Sequence, residues 1–250
     1  MRVLVTGAAS GIGAAIVRRF VEDGADVYAL DLDEAALWTL RSRLAADGLD
    51  ELRVEPLVCD LAEPEAVDSL PRDVDVLVNN AGIQHVSPVH EFPVEVFERI
   101  HRVMLLAPFR LARHALPHMY AAGWGRVLNI SSVHGLRASP FKSAYVSAKH
   151  GLEGLSKVIA LEGAEHGVTS NCLNPAYVRT PLVERQIADQ ARAHGIPESE
   201  VVETIMLAPA ARKRLIEPSE VAALAGFLCT ADADSITGAS LTMDGGWTAH

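Results

Sequence analysis

Three residues in the second half of the chain have types and spacing suited to proton transfer at an alcohol or a carbonyl group. Tyr145 follows Ser132 by thirteen residues, and Lys149 lies four residues beyond Tyr145. The sequence from Ala144 onward is predicted to be helical, which places Tyr145 and Lys149 on one face. An ammonium beside a phenol favours the phenolate, so we expect the pKa of Tyr145 to fall below its usual value of about 10. With Ser132 bound to the same substrate oxygen, these groups predict a general acid–base site.

Length and composition restrict the class of protein. The chain has 250 residues, enough for one large domain or two small ones, and 49% of them are apolar. Its formal net charge of -10 argues against nonspecific binding of nucleic acid, which requires a basic surface. Cys59, Cys172 and Cys229 are far apart and form no CxxC motif. We therefore expect reduced thiols in a cytoplasmic protein.

The first residues imitate a secretion signal only in part. Residues 3–17 carry no charge and have the length of a signal-peptide core. Three glycines weaken this segment as a hydrophobic helix, and Arg18 and Arg19 follow it directly. There is no run of ~20 apolar residues that would predict a membrane span.

A glycine-rich turn lies near the start of the chain. Residues 3–6 form a short apolar run typical of a buried strand, and a helical pattern ends at Gly24. Between them, Gly7, Gly11 and Gly13 follow a GxxxGxG spacing. Glycines let the backbone approach a pyrophosphate, and a helix N-terminus supplies N–H donors. Strand, glycine-rich turn and helix together predict a dinucleotide site.

An acidic residue follows this turn at the distance expected for ribose recognition. The second predicted strand ends at Asp31. A carboxylate there can accept hydrogen bonds from a ribose 2′-hydroxyl and repel a 2′-phosphate, which favours NAD over NADP. No Arg or Lys lies in the glycine turn or directly after Asp31 to accept a phosphate. The alternative is that Asp31 caps the helix predicted at 33–46.

The rest of the chain alternates strand-like and helix-like segments. This alternation predicts an α/β fold with one doubly wound parallel sheet of about seven strands in a single domain, residues 1–250. Ligands are then expected at the carboxyl ends of the strands. Further strands are predicted at 52–60, 74–82, 126–131, 238–247 and from residue 168, and long helices at 93–121 and 144–166.

Residues 182–214 interrupt this alternation. They are charged and helical, with little apolar content for a core of their own. We interpret them as a mobile lid hinged near Pro181 and Arg214. His114 and His118 have the spacing of a metal pair, but Pro117 lies between them and no third ligand is evident, so no metal site is expected.

Taken in order, these motifs resemble those of the classical short-chain dehydrogenase/reductase family, and the resemblance covers essentially the whole chain. TGAASGIG at 6–13, NNAG at 79–82 and the Tyr145/Lys149 pair carry it. The family implies that Tyr145 is the general acid–base, that Ser132 orients the substrate oxygen, and that Lys149 binds the nicotinamide ribose and lowers the pKa of Tyr145. It also implies a tetramer. The cofactor-binding positions implied, with NAD as the cofactor, are Gly7, Ser10, Gly11, Ile12, Gly13, Asp31, Asp60, Leu61, Asn80, Ala81, Gly82, Tyr145, Lys149, Pro175, Val178 and Thr180.

A narrower set of segments resembles the bacterial D-3-hydroxybutyrate dehydrogenases within that family. AGIQHVSPV, SSVHG, PLVERQI and the final DGGW carry it. The resemblance implies that polar residues hold the carboxylate of a small hydroxy acid, and amide, imidazole and ammonium groups are suitable donors for it. Tyr177 and Trp247 could close around the methyl group or pack without contacting substrate. The carboxylate-binding positions implied are Gln84, His134, Lys142 and Gln186, for which ordinary surface or structural roles are the alternative.

One departure from the family pattern concerns proton release. The family usually has an asparagine in the long helix before the fifth strand, and Met104 takes that position here. A thioether is a very weak acceptor and no donor, so it cannot replace an amide. We hypothesise an active enzyme with a rerouted proton relay. The alternatives are a dehydrogenase for another hydroxy acid, a polyol or a β-ketoacyl thioester, and an NAD-binding protein with impaired catalysis.

Overall fold

Seven parallel strands form one sheet in the computed structural model, which describes residues 1–249. Their order is β3-β2-β1-β4-β5-β6-β7, so the chain starts in the middle and winds outward in both directions. This confirms the predicted doubly wound α/β fold. The strands are β1 Arg2–Thr6, β2 Asp26–Asp31, β3 Val54–Val58, β4 Val76–Asn79, β5 Gly125–Ile130, β6 Val168–Pro175 and β7 Ser240–Met243.

Helices cover both faces of the sheet. The central strands are apolar on both faces because of this cover, and Val3, Val76 and Val127 are fully buried. The helices are α1 Gly11–Glu22, α2 Glu34–Ala46, α3 Pro64–Asp68, α4 Val94–His101, α5 Ala107–Ala122, α6 Ser143–Gly163, α7 Pro181–His194, α8 Glu198–Val201 and α9 Pro218–Phe227.

The segment predicted as one helix at 93–121 has three parts. A π-helical turn, Arg102–Leu106, joins α4 to α5 without a break in the chain direction. Such turns are rare and are often found at functional sites. This one carries Met104, which is fully buried.

The segment predicted as a lid contains α7 and α8 and has more apolar content than its charge suggests. A small cluster of buried side chains forms around Tyr177, Val183, Val201 and Met206. This cluster includes Tyr177, Leu215 and Trp247 from outside the segment, so residues 182–214 pack against their surroundings, and their mobility as a lid stays a prediction. Within residues 1–249, no helix combines the length and the hydrophobicity needed to cross a bilayer.

The reversal of strand order determines where a ligand can bind. β1 pairs with β2 on one side and with β4 on the other, and the connections leave these strands in opposite directions. The loops after the carboxyl ends of β1 and β4 therefore separate and leave a crevice between them. The glycine-rich turn follows β1, and the NNAG segment begins at the end of β4.

Candidate active site

A cavity of about 320 Å³ opens at the carboxyl edge of the sheet. It is continuous from Asp31 at one end to Lys142 at the other, so one groove joins the predicted cofactor positions to the predicted carboxylate positions. The predicted site residues that line it are Gly7, Ser10, Gly11, Ile12, Asp31, Asp60, Leu61, Gln84, Asn80, Ala81, Gly82, Ser132, His134, Lys142, Tyr145, Lys149, Pro175, Tyr177, Val178, Thr180 and Gln186.

The glycine-rich turn has no room for side chains. Gly7 and Gly11 have φ values of 63° and 54°, in the left-handed region that favours glycine. A Cβ atom on Gly7 would lie 2.9 Å from the Ala81 Cα, and one on Gly11 would lie 2.9 Å from the Thr180 Cγ2. The backbone therefore lines the cavity directly, and α1 begins there with its N–H groups free for an anion.

Gly13 has a different role from the one predicted. It does not line the cavity, and a Cβ atom there would lie 2.0 Å from the Gly7 carbonyl oxygen. Gly13 therefore lets α1 pack directly beneath the turn. Asn80 holds the turn from the other side, because its Nδ2 donates to the carbonyls of Thr6 (2.9 Å) and Gly7 (3.0 Å).

The Asp31 carboxylate is fixed at the end of β2. One oxygen accepts from the Ala9 N–H at 3.0 Å, and the other accepts from the Leu32 N–H at 2.8 Å. The alternative role as a helix cap is wrong, because Asp33 caps α2 by accepting from the Ala36 N–H. A rigid carboxylate beside the glycine turn fits a ribose and disfavours a phosphate on it.

A cation near the far end of the cavity was not predicted. Arg99 lines the groove and donates to the Asp60 carboxylate at 3.2 Å. Arg99 reaches the groove because α4 packs over the edge of the sheet. No local sequence motif indicates this contact. Arg99 therefore pairs with Asp60 beside Leu61, where the adenine end of a dinucleotide would lie.

Ser132, Tyr145 and Lys149 meet at the centre of the groove. Ser132 follows β5 and caps a 3₁₀ turn, with its hydroxyl accepting from the His134 N–H at 3.2 Å. Tyr145 and Lys149 lie one turn apart on α6, and the Lys149 Nζ is 5.6 Å from the centre of the Tyr145 ring. The ammonium donates to the Ile130 carbonyl at 2.6 Å, which fixes it under the tyrosine.

Burial dominates the electrostatics of this centre in the protein by itself. It raises the pKa of Tyr145 to about 12, and a hydrogen bond with Ser132 opposes the rise. It lowers the pKa of Lys149 to about 8, opposed by Cys172 and Glu153. The predicted lowering of the Tyr145 pKa is therefore not present here, because desolvation of the phenolate outweighs the ammonium.

Lys142 is the most unusual cation of the site. It is only 3% exposed, and its Nζ donates to the Tyr177 hydroxyl at 3.0 Å and to the Gln186 Oε1 at 3.4 Å. Within residues 1–249, no aspartate or glutamate forms an ion pair with it. Burial lowers the pKa of Lys142 to about 8. A buried ammonium with neutral neighbours is suited to an anionic group entering from the cavity.

The backbone before Lys142 is strained. Phe141 has a φ of 67°, the one positive value among non-glycine residues in the described chain. Its carbonyl accepts from the Ser87 N–H at 2.9 Å, and its ring meets His194 of α7 edge to face. Such conformations persist only where the surroundings hold them, and they cluster at functional sites. The strain directs Lys142 inward from the start of α6.

His134 and Gln84 complete the polar end of the groove. The His134 Nε2 lies 2.9 Å from the Ser139 Oγ, and burial lowers the pKa of His134 to about 3, so the ring is neutral. Both side-chain polar atoms of Gln84 are buried without a hydrogen-bond partner in the described chain. A buried amide with no protein partner is what a ligand-binding residue presents before its ligand arrives.

Tyr177 and Trp247 form the wall at this end. Their rings stack with centroids 6.2 Å apart, and the edges of both meet the His134 ring. Tyr177 lines the cavity, whereas Trp247 lies behind it and does not. Contact between Trp247 and substrate stays a prediction, and in the structure Trp247 packs against His134 and Tyr177.

Met104 fills the position where the family has asparagine. A Cβ atom on Gly82 would lie 3.8 Å from the Met104 methyl group, so the thioether packs beneath the NNAG segment. Its neighbours in the core are apolar. Met104 therefore supplies no polar group to Lys149.

Taken together, the groove can hold a long phosphate-bearing cofactor beside a small anionic substrate. The glycine turn, Asp31 and the NNAG segment fit a nicotinamide dinucleotide, and Ser132 and Tyr145 place a hydroxyl pair where its reactive ring would end. The predicted absence of a metal site concerned His114 and His118. In the structure these bind Asp68 and Asp75 separately, at 3.3 Å and 2.8 Å.

Fold and site together define an oxidoreductase that uses a nicotinamide cofactor. The family model described as short chain dehydrogenase matches residues 1–191, and the chain belongs to the short-chain dehydrogenase family. Among curated relatives, the chain is similar to a D-beta-hydroxybutyrate dehydrogenase of Rhizobium meliloti, with 46% identity covering 99% of this chain and 98% of the relative. A protein of the same name from Cupriavidus necator is 39% identical, covering 99% and 97%.

Solved structures agree with this assignment. An actinorhodin polyketide ketoreductase with NADPH superposes with a TM-score of 0.92 at 30% identity, covering 100% of this chain and 97% of that one. That neighbour's name includes NADPH, so likeness of fold by itself does not favour NAD over NADP.

Proposed function

We propose that the protein is an NAD-dependent dehydrogenase that oxidises the C3 alcohol of D-3-hydroxybutyrate to acetoacetate. The observation that carries this proposal is Lys142, an almost fully buried ammonium without an acidic partner at the substrate end of the groove. A short hydroxy acid offers a carboxylate to Lys142 and an alcohol to Tyr145. The identity to D-beta-hydroxybutyrate dehydrogenases supports the same substrate.

The proposed site has two ends, one that binds the carboxylate of the substrate and one that reacts with its alcohol. Four polar side chains bind the carboxylate through hydrogen bonds, namely Lys142, Gln186, Gln84 and His134, and Tyr177 lines the same end of the groove. At the other end Ser132 holds the alcohol oxygen while Tyr145 accepts its proton. The nicotinamide ring, when bound, accepts the hydride from C3.

Lys149 supports the proton acceptor. Its ammonium lies beneath the Tyr145 ring and stabilises the phenolate that must be present to accept the proton of the alcohol. Burial lowers the pKa of Lys149 to about 8 and so disfavours its charged form. The proposed activity therefore depends on groups that keep Lys149 protonated.

The choice of NAD is supported by Asp31. Its carboxylate is held by the backbone N–H groups of Ala9, Leu32 and Asp33 beside the glycine turn, where a 2′-phosphate would meet a fixed negative charge. No Arg or Lys lies in the turn or directly after Asp31.

The deciding experiment is initial-rate NADH or NADPH formation over a panel of short hydroxy acids, each as D and L forms. We expect NAD and D-3-hydroxybutyrate to give the highest kcat/KM. Preference for NADP would overturn the cofactor proposal. Preference for the L form or for a neutral polyol would overturn the substrate proposal, and cofactor binding without turnover would indicate an impaired enzyme.

We further propose a cytoplasmic homotetramer, as the family resemblance implies. Apolar side chains on α5 and α6 support it, since Phe109 is 48% exposed and Leu161 is 81% exposed. Sedimentation equilibrium tests the assembly. A monomer at micromolar concentration would contradict it.

A further inference from the structure

One buried carboxylate near the centre of the groove has no part in the chemistry described so far. Glu153 lies on α6, two turns after Tyr145 and one turn after Lys149, and is 5% exposed. Within residues 1–249, no Lys, Arg or His forms an ion pair with it. Taking a carboxylate out of water without a cation is costly unless hydrogen bonds compensate, so its retention needs an explanation.

Two short hydrogen bonds hold Glu153 between strands β6 and β7. Its Oε1 accepts from the Asn174 Nδ2 at 2.5 Å, and its Oε2 accepts from the Ser240 Oγ at 2.6 Å. Both oxygens thus act as acceptors, as those of an ionised carboxylate do.

Asn174 connects this carboxylate to the catalytic serine. The Asn174 Nδ2 also donates to the backbone carbonyl of Ser132 at 2.9 Å. The 3₁₀ turn that follows Ser132 rests on Glu153 as well, since a Cβ atom on Gly135 would lie 2.8 Å from the Glu153 Oε1. Glu153 therefore supports both ends of the turn that carries Ser132 and His134.

The same carboxylate lies one helical turn beyond Lys149 on α6, and its charge acts to raise the pKa of that ammonium. Of the titratable groups around the Lys149 ammonium, Tyr145 and Glu153 lie on its own helix and Cys172 lies on β6. Burial raises the pKa of the Cys172 thiol, which is therefore neutral at neutral pH. Glu153 is thus the group that can oppose the loss of the Lys149 proton.

We propose that Glu153 is a positioning residue of the hydride-transfer site, which holds the Ser132 turn through Asn174 and supplies the negative charge that keeps Lys149 an ammonium. This rests on the family chemistry of Ser132, Tyr145 and Lys149, and not on the identity of the substrate. Because Met104 contributes no polar group to Lys149, the charge of Lys149 depends more strongly on the Glu153 carboxylate.

Three variants separate the two parts of this role. Glu153→Gln keeps the size and both contacts but removes the charge, whereas Glu153→Asp keeps the charge but falls one methylene short of Asn174. Ser240→Ala is the matched control, because it removes one hydrogen bond to Glu153 and changes neither the charge nor the link to Ser132.

The first measurement needs neither cofactor nor substrate. The chain has four lysines, so isotope-labelled lysine gives a spectrum in which Lys149 can be titrated beside Lys142, the other buried one. We expect Glu153→Gln to lower the titration midpoint of Lys149 by at least ~0.5 pH unit, with Lys142 unchanged. Ser240→Ala should leave both midpoints unchanged.

The second measurement is kcat across pH with any alcohol that the protein oxidises. Glu153→Gln should move the pH profile to lower pH, and Glu153→Asp should lower kcat about tenfold with KM for the cofactor unchanged. The proposal would be overturned if Lys149 titrated at the same pH in Glu153→Gln as in the parent, or if Glu153→Asp had the same kcat as the parent. Failure of D-3-hydroxybutyrate as a substrate would affect only the proposed function, because the lysine titration is independent of it.

Discussion

The Lys142 ammonium lies 3.0 Å from the Tyr177 hydroxyl, and this contact joins the start of α6 to the segment that leads into α7. A solvated lysine was the alternative, and the structure excludes it, since the residue is 3% exposed. The contact places a positive charge at the end of the groove opposite the glycine turn. At the far end the Asp31 carboxylate lines the groove, and Asp60 there is paired with Arg99.

Replacing Lys142 tests carboxylate recognition. Lys142→Met keeps an unbranched side chain but removes the charge-assisted hydrogen bond, which contributes ~1.5–3 kcal/mol. We expect KM for D-3-hydroxybutyrate to rise about 10- to 100-fold, with little change in kcat. Lys157→Met, at an exposed position on the same helix, is the control and should behave like the parent. An equal loss with an uncharged secondary alcohol would mean that Lys142 only supports the fold.

Removing the charge of Asp31 tests cofactor choice. Asp31→Asn keeps the shape of the side chain and removes the fixed negative charge that a 2′-phosphate would meet. The ratio of kcat/KM for NADP to that for NAD should rise at least ~10-fold, since like-charge contacts cost several kcal/mol. Asp33→Asn is the control, because Asp33 caps α2 and does not line the groove. An unchanged ratio in Asp31→Asn would place the discrimination elsewhere.

The two buried lysines make stability depend on pH. In the folded protein the pKa values of Lys142 and Lys149 are lowered to about 8, whereas in the unfolded chain both bind protons up to about 10.5. At these two sites the unfolded state therefore binds more protons between these limits, which adds up to ~1.4 kcal/mol of stability per pH unit for each lysine. Burial raises the pKa of the Cys172 and Cys229 thiols, so above the usual thiol pKa of about 8.5 these two groups act in the opposite direction. Urea unfolding of the cofactor-free protein at pH 8 and pH 10 measures the slope.

The variant Lys142→Met isolates one of these contributions. It should lower the slope by up to ~1.4 kcal/mol per pH unit relative to the parent, which has the same thiols, and should stabilise the protein most below pH 8, where the buried charge is fully present. Above pH 10 the trend should weaken, because burial raises the pKa of Tyr145 to about 12 and the folded state then retains a proton that the unfolded state loses. A Lys142→Met variant with the same slope as the parent between pH 8 and pH 10 would contradict this account.

Met104 tests the hypothesis of a rerouted relay. Met104→Asn introduces an amide into an apolar cluster beneath Gly82, and an unpaired polar group there should cost ~1–3 kcal/mol of stability. We expect kcat to change less than about threefold, because the relay does not use this side chain. Met104→Leu, which keeps the site apolar, is the control for packing. A rise of kcat by orders of magnitude in Met104→Asn would show that the relay is impaired.

Local patterns were sufficient for the fold and for the reacting groups. The strand, glycine turn and helix at the start of the chain, and the one-turn spacing of Tyr145 and Lys149, depend on backbone geometry over a few residues. Such patterns can be interpreted without knowing what packs against them. The family resemblance followed from their order, and the strand order and the sequence relatives confirm it.

Tertiary packing alone decided the surroundings of each group. Burial raises the pKa of Tyr145 where the neighbouring ammonium predicts a fall, and α1 lies under Gly7 because Gly13 has no side chain. Trp247 lies behind Tyr177, and Glu153 meets Asn174 from a distant strand. Desolvation and contacts between distant segments depend on the complete three-dimensional arrangement, so the sequence by itself determined the fold class and the candidate reacting groups, and the tertiary structure decided their burial, their pKa shifts and their hydrogen-bond partners.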